Sequence, residues 1–377
     1  MKQKEICLVA LQTVLLVGIT LFSVVPFSCK VTTEGIEIIG GDYSAPDIEE
    51  VDVIDEKTVT MTFSDSVNVR DVVVSPVLPG ISDSDVHSET EDLSPAIAAA
   101  AGEFGHINAT VKKSEDGKNI TFILEEGTVI GKSYEVYGTV EDKIGNTLTF
   151  CVPFTGYNSK VPKIIMTEAQ IKYAKATVKN EAVYRGEYIE FLALEEGNLA
   201  GLELCSAADG EAKTYAFPAI EVKKGELFLV HFRTAGDGCI NEDGDDLNAA
   251  TAPHSAPEVR DLWWDNTSSH FNDSSDVLIL RNTVDGSIMD ALMYAVPEAL
   301  EWKPAVGEAA LEVFNEGFYV TCDISGACNS KGVSPLKSLT RVEGRTILEA
   351  LLAGEEVEWP VAGDGAWEVM AVTPGVV

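Results

Sequence analysis

The densest group of carboxylates in the chain lies in residues 237–246, which read Asp-Gly-Cys-Ile-Asn-Glu-Asp-Gly-Asp-Asp. Hard cations such as Ca²⁺ prefer several oxygen ligands on a flexible loop, and Asp, Asn and Gly together supply both. The spacing does not fit an EF-hand, because a loop with Gly244 at its sixth position would begin at Cys239 and end at Ala250. Two interpretations stay open, a solvated acidic loop and a Ca²⁺ site of another kind. The ligands expected for such a site are Asp237, Asn241, Asp243 and Asp245.

Two adjacent tryptophans, Trp263 and Trp264, stand between Asp261 and Asp265. Aromatic rings on an acidic loop could form a platform for a glycan or a peptide, because they supply a large contact area at a low cost in conformational entropy. The alternative is that one ring caps the core while the other seals the loop onto the fold. The sequence supports a ligand-binding role and a packing role for this pair.

Motifs typical of catalysis do not occur in the chain. The five histidines have neither HExxH nor a paired metal-binding spacing; they are His87, His106, His231, His254 and His270. Neither Gly-x-Ser-x-Gly nor a glycine-rich phosphate-binding motif is found. Glu187 and Glu190 would face opposite sides of one strand, unlike a pair of catalytic carboxylates. The sequence therefore predicts a protein that is not an enzyme.

The N-terminus has the pattern of an export signal. Lys2 and Lys4 precede an apolar run over residues 6–25, and Ser28 stands before Cys29. A basic start, an apolar stretch and a small residue before the cut direct a chain out of the cytoplasm. The apolar run is also close to the roughly 20 residues that span a bilayer, so an uncleaved signal anchor is the alternative. Both interpretations place residues 30–377 outside the cytoplasm.

This N-terminus resembles a bacterial lipoprotein signal, in which the cysteine after the cut is acylated. The resemblance implies a signal peptide at 1–28, lipid on Cys29 and a tether at 29–44. It also implies anchoring at the outer membrane or cell surface, with the periplasmic face as an alternative. Pro26 departs from the leucine that the lipoprotein motif usually has there.

Five cysteines follow Cys29, namely Cys151, Cys205, Cys239, Cys322 and Cys328. An odd number in an exported protein requires a free thiol or an intermolecular bond. Ser325 and Gly326 favour a turn between Cys322 and Cys328, so a disulfide is predicted there. The alternative is that all five are small buried side chains.

The charge balance excludes one class of ligand. The chain has 61 Asp and Glu against 27 Lys and Arg, a formal net charge of −34. Such a chain repels phosphate backbones, so nucleic acid is not expected as its ligand. Basic partners or cations are the expected complement. Hydrophobic residues at 45% and charged residues at 23% are typical of a folded protein.

Strand patterns dominate residues 45–155. Residues 59–63 alternate apolar and polar side chains, and similar segments follow at 120–124, 134–140 and 148–152. Strands that follow one another without intervening helices predict an antiparallel sandwich. A short helix or ordered insertion is expected at 93–104, and the polar Gly- and Pro-containing segment 156–162 is expected to be a linker.

Residues 45–155 resemble the bacterial Ig-like modules of surface-layer proteins. The matching segments are Pro46 to Ile48, Thr58 to Ser64, and Tyr134 to Asp142 followed by Gly145-Asn146. In those modules the last hairpin carries an Asp-x-x-Gly-Asn turn. Gly and Asn also suit a hairpin because both tolerate positive φ.

Residues 163–377 resemble a lamin-tail domain, which is also an Ig-like β-sandwich. The matching segments, in order, are 163–168, 187–191, 199–204, 215–218, 222–230, 272–280, 285–290, 338–341 and 373–375. The segments 234–271 and 295–337 are longer than the family's loops. Because loops beyond about 15 residues are usually functional or disordered, we expect a ligand to bind there.

The sequence as a whole predicts an all-β protein with two Ig-like antiparallel β-sandwiches in tandem and a few short helices in insertions. Its expected role is a membrane-anchored, non-enzymatic binding or adhesion module that contacts a protein or a glycan, with no cofactor unless the acidic loop holds Ca²⁺. Bacterial lamin-tail modules often accompany nucleases and phosphatases, so a secreted metal-dependent hydrolase of the phosphodiesterase or nuclease type is one alternative. A purely structural envelope spacer is another.

Overall fold

The computed structural model describes residues 28–32, 35–39, 44–77, 106–178, 181–207, 213–234, 236–357 and 365–376. The chain forms two compact units, Met1–Tyr157 and Asn158–Val377, and the division falls inside the predicted linker. The apolar leader and the helix predicted at 93–104 lie outside the described residues. Within the described part, no helix is long and apolar enough to cross a membrane.

The segment predicted as a tether contains a β-hairpin. Strands β1 (Ser28–Thr32) and β2 (Gly35–Ile39) pair antiparallel, with Cys29 opposite Ile38. The backbone at the proposed lipidation site is therefore extended.

The first unit is a sandwich of two antiparallel sheets. Its strands are β3 (Ile48–Asp55), β4 (Thr58–Phe63), β5 (Asn68–Pro76), β6 (Ala109–Lys113), β7 (Asn119–Leu124), β8 (Ser133–Glu141) and β9 (Thr147–Thr155). One sheet has the order β3-β4-β7-β6 and the other β5-β8-β9. In β4 and β7 every second side chain is buried, which places Met61 and Phe122 in an apolar core between the sheets.

The turn between β8 and β9 has the predicted Asp-x-x-Gly-Asn form. The Asp142 carboxylate accepts hydrogen bonds from the backbone N–H of Ile144 and Asn146, both at 2.9 Å, and from Asn146 Nδ2 at 2.7 Å. Gly145 has φ +97°, a conformation that glycine adopts without strain. The side chain of Asp142 therefore closes the hairpin.

The second unit is a larger sandwich. Its strands up to residue 231 are β10 (Ile164–Gln170), β11 (Ala174–Val178), β12 (Glu181–Arg185), β13 (Tyr188–Ala193), β14 (Gly197–Asn198), β15 (Leu202–Ser206), β16 (Lys213–Ala216), β17 (Glu221–Val222) and β18 (Leu227–His231). The remaining strands are β19 (Arg260–Trp263), β20 (Ser275–Asn282), β21 (Ile288–Ala295), β22 (Cys328–Asn329), β23 (Lys337–Arg341) and β24 (Trp367–Ala371).

Two principal sheets enclose the core of this unit. The six-stranded sheet has the order β19-β18-β13-β10-β23-β24, and the five-stranded sheet has the order β16-β15-β20-β21-β22. The pairs β18–β19 and β21–β22 are parallel, and the other pairs in these two sheets are antiparallel. The strands β11 and β12 form a separate ribbon, as do β14 and β17.

Two helices cover the outer faces of these sheets. Helix α1 (Pro304–Asn315) lies in the predicted insertion and buries Val306, Ala310 and Val313 in a cluster with the five-stranded sheet. Helix α2 (Gly344–Leu352) buries Ile347 and Leu351 in a cluster with the six-stranded sheet. Every residue of β10 and β13 is buried, because α2 covers one part of their outer face and residues 256–259 and 373–375 cover another. These strands therefore lack the alternation of a sheet with one solvated face.

A buried ion pair joins the two principal sheets. Arg341 Nη2 on β23 donates to both carboxylate oxygens of Asp290 on β21, at 2.7 and 2.6 Å. The same carboxylate accepts from the backbone N–H of Met166 at 2.8 Å, while Arg341 Nε donates to the Met166 carbonyl at 2.7 Å. The Arg341 guanidinium also lies 4.7 Å from the ring centre of Trp367. Such a pair stabilises the fold only while both charges are present.

Candidate functional site

A charged groove of about 500 Å³ opens on the second unit. Its lining residues are Lys160, Glu196, Gly197, Glu221, Val222, Lys223, Glu226, Asp245, Leu247 and Arg260. The β14–β17 ribbon forms one side. The other side comes from residues 236–259, named the acidic insertion here, and from the start of β19. The groove therefore lies where the predicted long loop meets the sandwich.

The ribbon side of the groove is fixed by Asn198. Its Nδ2 donates to Glu221 Oε1 at 2.9 Å, its Oδ1 accepts from the backbone N–H of Ala200 at 3.0 Å, and its own N–H donates to the Lys160 carbonyl at 2.9 Å. Lys160 forms an exposed ion pair with Glu196. The hydrogen bond and charge of Lys160 lower the pKa of the Glu196 carboxyl. Two of the groove's charges are thus already paired.

Arg260 fixes the acidic insertion to the floor of the groove. Its Nε donates to Glu226 Oε1 at 3.2 Å, and its Nη1 donates to the carbonyls of Glu242 and Gly244, the latter at 2.9 Å. Glu226 Oε2 accepts from the backbone N–H of Lys223 at 2.9 Å. One guanidinium therefore joins the acidic insertion to the turn that precedes β18.

Glu242 turns inward and organises the acidic insertion. It is 2% exposed, and its two oxygens accept from the backbone N–H of Ala250 at 3.0 Å and of Asp261 at 2.8 Å. The side chain acts as a clamp between the loop and β19. In the sequence, Glu242 looks like the acidic residues beside it. Only its burial in the structure shows that it clamps the loop to β19.

The predicted Ca²⁺ ligands do not assemble into a site. Asn241 Oδ1 accepts a hydrogen bond from the backbone N–H of Trp263, which turns this side chain toward β19. Asp237, Asp243 and Asp245 are exposed, while Glu242 between them points into the fold. Among the described residues, no three His, Cys, Asp or Glu side chains are grouped so that they could hold a metal ion. The prediction of a Ca²⁺ loop is corrected accordingly.

The two tryptophans pack into the fold. Trp263 is 8% exposed and stacks on His231, with ring centres 3.8 Å apart. Trp264 is half-buried, and its ring centre lies 4.6 Å from that of His270 and 6.1 Å from that of Tyr215. The structure thus matches the alternative in which one ring seals the loop and the other caps the core. It does not display them as a platform.

Cys322 and Cys328 are thiols, which corrects the predicted disulfide. Cys328 belongs to the core between the sheets, where its Sγ lies 3.8 Å from Tyr319 Oη. Cys322 packs in the cluster beneath α1, and its carbonyl accepts from Trp302 Nε1 at 2.9 Å. The two side chains therefore join different apolar clusters instead of facing each other.

A second group of polar residues lies buried on the outer face of the six-stranded sheet. Glu168 on β10 and Glu190 on β13 are paired across the strands and are each 1% exposed. Glu168 accepts from Ser338 Oγ and from the backbone N–H of Thr373, the latter at 3.1 Å. Glu190 accepts from Thr167 Oγ1 at 2.6 Å. Both carboxyl groups are buried and hydrogen-bonded to protein groups, so neither faces a surface that a substrate could reach.

Imidazole rings flank Tyr188, which lies beside this carboxyl pair. His231 Nε2 lies 2.6 Å from Asp261 Oδ1, and the Tyr188 ring centre lies 5.9 Å from that of His231 and 5.8 Å from that of His254. Burial, with a smaller effect of the charge of His231, lowers the pKa of His254 to about 4. Sequence reasoning missed this carboxyl pair. The available signal was that Glu168 and Glu190 stand in strands whose apolar and polar residues do not alternate, because both faces of such strands are covered by other parts of the chain.

Comparison with known sequences finds a match in the second unit. Residues 162–361 match the family model TP_1001_2nd, described as a protein second domain. An uncharacterized protein of Treponema pallidum (strain Nichols) is 25% identical over 169 residues, covering 44% of this chain and 40% of that protein. The chain therefore spans less than half the length of this curated relative.

Solved structures show distant likenesses. A DUF4876 family protein from Bacteroides thetaiotaomicron VPI-5482 is 11% identical, with 73% of this chain and 83% of that chain covered and a TM-score of 0.28. The N-terminal part of the bacterial S-layer protein SbsC is 16% identical, with 40% and 41% covered and a TM-score of 0.22. Superpositions at this level carry no argument about fold or function.

Proposed function

The chain belongs to the TP_1001_2nd protein second-domain family, and we propose a function for it. It is an exported, lipid-anchored envelope protein, and its second unit is a non-enzymatic binding module. The observation that carries the proposal is the charged groove between the β14–β17 ribbon and the acidic insertion. Concave surfaces with a few fixed polar groups are where proteins recognise small ligands or peptide segments. We further propose that the second unit is a sandwich of the lamin-tail type.

The lipid anchor is proposed from the leader and Cys29. A thioether-linked diacylglycerol together with an amide-linked chain would hold the protein at a membrane, because stable anchoring requires more than one acyl chain. Metabolic labelling with a fatty acid tests this part: the wild-type chain should incorporate label, and Cys29→Ala should accumulate as a larger, unlabelled precursor. Equal labelling of the variant would refute the anchor.

The charges of the groove favour a cationic ligand. The lining carries the four carboxylates of Glu196, Glu221, Glu226 and Asp245 against the three cations of Lys160, Lys223 and Arg260. Lys160 pairs with Glu196 and Arg260 with Glu226, which leaves Glu221 and Asp245 against Lys223. The acidic insertion adds Asp245 to the lining and contains no Lys or Arg. Carboxylates on a rim steer a partner of opposite charge toward the surface. We propose that the groove binds a segment of a protein partner that bears Lys or Arg.

A pair of matched variants tests the groove. The probes are two fluorescein-labelled peptides of equal length, one rich in Lys and one rich in Glu, titrated into the full chain. The Lys-rich peptide should bind, and Asp245→Asn should weaken it by about fivefold or more, roughly 1 kcal/mol. The control Asp237→Asn removes an exposed carboxylate of the same insertion that does not line the groove, and it should leave binding unchanged.

The rival roles predict other results. A purely structural spacer binds neither peptide while its fold and anchoring are intact. If the two variants weaken binding equally, the attraction comes from net charge and the groove is not the recognition surface. Either result would refute the groove as a binding site.

A further inference from the structure

Arg260 keeps one nitrogen of its guanidinium for the charged groove. Its Nε donates to Glu226, and its Nη1 donates to the carbonyls of Glu242 and Gly244. Nη2 carries two further N–H groups, and neither donates to a residue that the structure describes. Only 9% of the side chain is exposed, but Nη2 is not a fully buried atom and Arg260 lines the groove. A rigidly held guanidinium thus presents two fixed donors to a ligand in the groove.

Lys223 adds a second cation beside this guanidinium. The backbone N–H of Lys223 and the Nε of Arg260 donate to the two oxygens of one carboxylate, that of Glu226. The side chain of Lys223 is exposed and lines the groove, and its ammonium forms no ion pair within the described part of the chain. One carboxylate is therefore shared between two cations, so this part of the groove keeps a positive charge.

Glu221 places a carboxylate next to the positive part of the groove. It is separated from Lys223 by Val222, which is 2% exposed, so the side chains of Glu221 and Lys223 share the face that lines the groove. Glu221 Oε1 accepts from Asn198 Nδ2 at 2.9 Å, which fixes the orientation of the carboxylate. Its Oε2 accepts no hydrogen bond from the described residues, so it can accept one from a ligand.

Asp245 supplies a second carboxylate from the acidic insertion. It follows Gly244, whose carbonyl accepts from Arg260 Nη1 at 2.9 Å, so the backbone that carries Asp245 is held beside the guanidinium. Asp245 is exposed and lines the groove. The groove therefore has a cationic part at Arg260 and Lys223 and anionic side chains at Glu221 and Asp245.

A ligand that complements both parts carries an anion and a cation on one residue. An internal Lys or Arg offers only the cation, whereas a chain that ends in Lys or Arg adds its α-carboxylate, and such chain ends are an established target of recognition. We propose that the groove binds the C-terminal Lys or Arg of a partner protein, with the α-carboxylate at Arg260 Nη2 and Lys223 and the side chain at Glu221 and Asp245. This inference rests on the proposed binding function and names the part of the partner that is recognised.

Three peptides labelled with fluorescein at the N-terminus test the proposal by titration into the full chain. The first ends in Lys with a free carboxylate, and the second is identical except for a C-terminal amide. The third has the same composition as the first, but the terminal Lys is exchanged with an internal Ala, so that it ends in Ala with a free carboxylate. The first peptide should bind about tenfold more tightly than the second, and about fivefold more tightly than the third.

The preference for the free carboxylate has the opposite sign from general electrostatics. The chain has a formal net charge of −34, so non-specific attraction favours the amide, which has one negative charge fewer. The ratio of the two dissociation constants, amide over free acid, therefore reports the contact with the carboxylate. A variant that only loosens the acidic insertion weakens both peptides alike and leaves this ratio unchanged.

Four variants assign the contacts through this ratio. Lys223→Gln should lower the ratio by about threefold, and Arg260→Gln should lower it by at least as much. The control Lys224→Gln removes the adjacent exposed lysine, which does not line the groove, and should keep the wild-type ratio. Asp245→Asn should weaken the first two peptides by the same factor. Lys223→Gln decides the point if Arg260→Gln does not fold, because the Lys223 side chain is exposed.

The possible failures are distinguishable. If the amide binds as tightly as the free acid or more tightly, the carboxylate is not recognised and the inference is wrong, while the proposed binding function stands. If the third peptide matches the first, the terminal side chain is not recognised. An equal fall of the ratio in Lys223→Gln and Lys224→Gln would show an effect of net charge and would also overturn the inference. If none of the peptides binds, the proposed binding function fails together with it.

Discussion

The two sandwiches differ in what their sheets bury. In the first unit, β4 and β7 bury one face only, and the core between the sheets is apolar. In the second unit, β10 and β13 are buried on both faces, and the interior contains Glu168, Glu190 and the Asp290–Arg341 pair. Covering the second face with a helix, an insertion and the chain end moves ionisable groups out of water. The first unit should therefore respond to changes in packing, and the second to changes in charge and pH.

The largest expected effect comes from breaking the ion pair between the sheets. Arg341→Met leaves Asp290 charged and buried, and we expect a loss of about 3–5 kcal/mol in the free energy of unfolding of the second unit. Urea denaturation measures it. The control Arg345→Met removes an exposed arginine of the Arg345–Glu349 pair and should change stability little. Recovery of most of the loss in Asp290→Leu/Arg341→Met would support the charge argument, whereas equal losses in the single and double variants would contradict it.

A packing change in the first unit should act differently. Met61 is fully buried, so Met61→Ala should cost about 3 kcal/mol through lost transfer free energy and a cavity. The unfolding transition of the first unit should shift while that of the second is unchanged, and the loss should not depend on pH. The control Ile54→Ala, at a side chain that is 53% exposed, should have an effect within about 0.5 kcal/mol. If the unfolding free energy lost in Met61→Ala varied with pH, the first unit would not differ from the second in its response to pH.

Acid sensitivity should depend on His270 in the second unit. Burial, and then the charge of Lys213, lower the pKa of His270 to about 3, so the folded state keeps it neutral. The unfolded state takes up a proton around and below its ordinary pKa of 6.5. Stability therefore falls as the pH drops from 6.5 toward 3, by roughly 1.6 kcal/mol between pH 6.5 and 5.

The variant His270→Phe removes this proton while it keeps a ring against Phe232 and Phe271. Denaturation at pH 6.5 and pH 5 should show that the His270 contribution is lost. His106→Phe, at an exposed histidine of the first unit, should retain it. If His270→Phe keeps the wild-type difference between the two pH values, another group causes the acid sensitivity.

The smallest effect concerns the cysteines. Because Cys322 and Cys328 are thiols, Cys322→Ala should cost less than about 1 kcal/mol, whereas loss of a disulfide typically costs about 2–4 kcal/mol. The denaturation midpoint of the wild-type second unit should be the same with and without a reductant. A lower denaturation midpoint in the presence of the reductant would show that Cys322 and Cys328 form the predicted disulfide.

Local patterns predicted much of the first unit. Alternation at residues 59–63 and 120–124 gave strands with the correct buried face, and Asp142, Gly145 and Asn146 gave the turn between β8 and β9. These features depend on neighbours within a few residues. The all-β fold class could be predicted in the same way, because the strand segments of the second unit are also continuous in the sequence. The positions of its two helices were not predicted.

The candidate site depended on contacts between distant residues. Lys160, Glu221 and Asp245 line one groove only because the ribbon and the acidic insertion meet there, and Glu190 meets Gly375 across 185 positions. The sequence by itself determined which segments form strands, because side-chain periodicity is local. Only the tertiary structure decided which acidic side chains turn inward: Glu242 is buried by β19 and Glu168 by the chain end, whereas Asp243 remains in water. Burial is set by what covers a face, and the residues that do so lie far away in the chain.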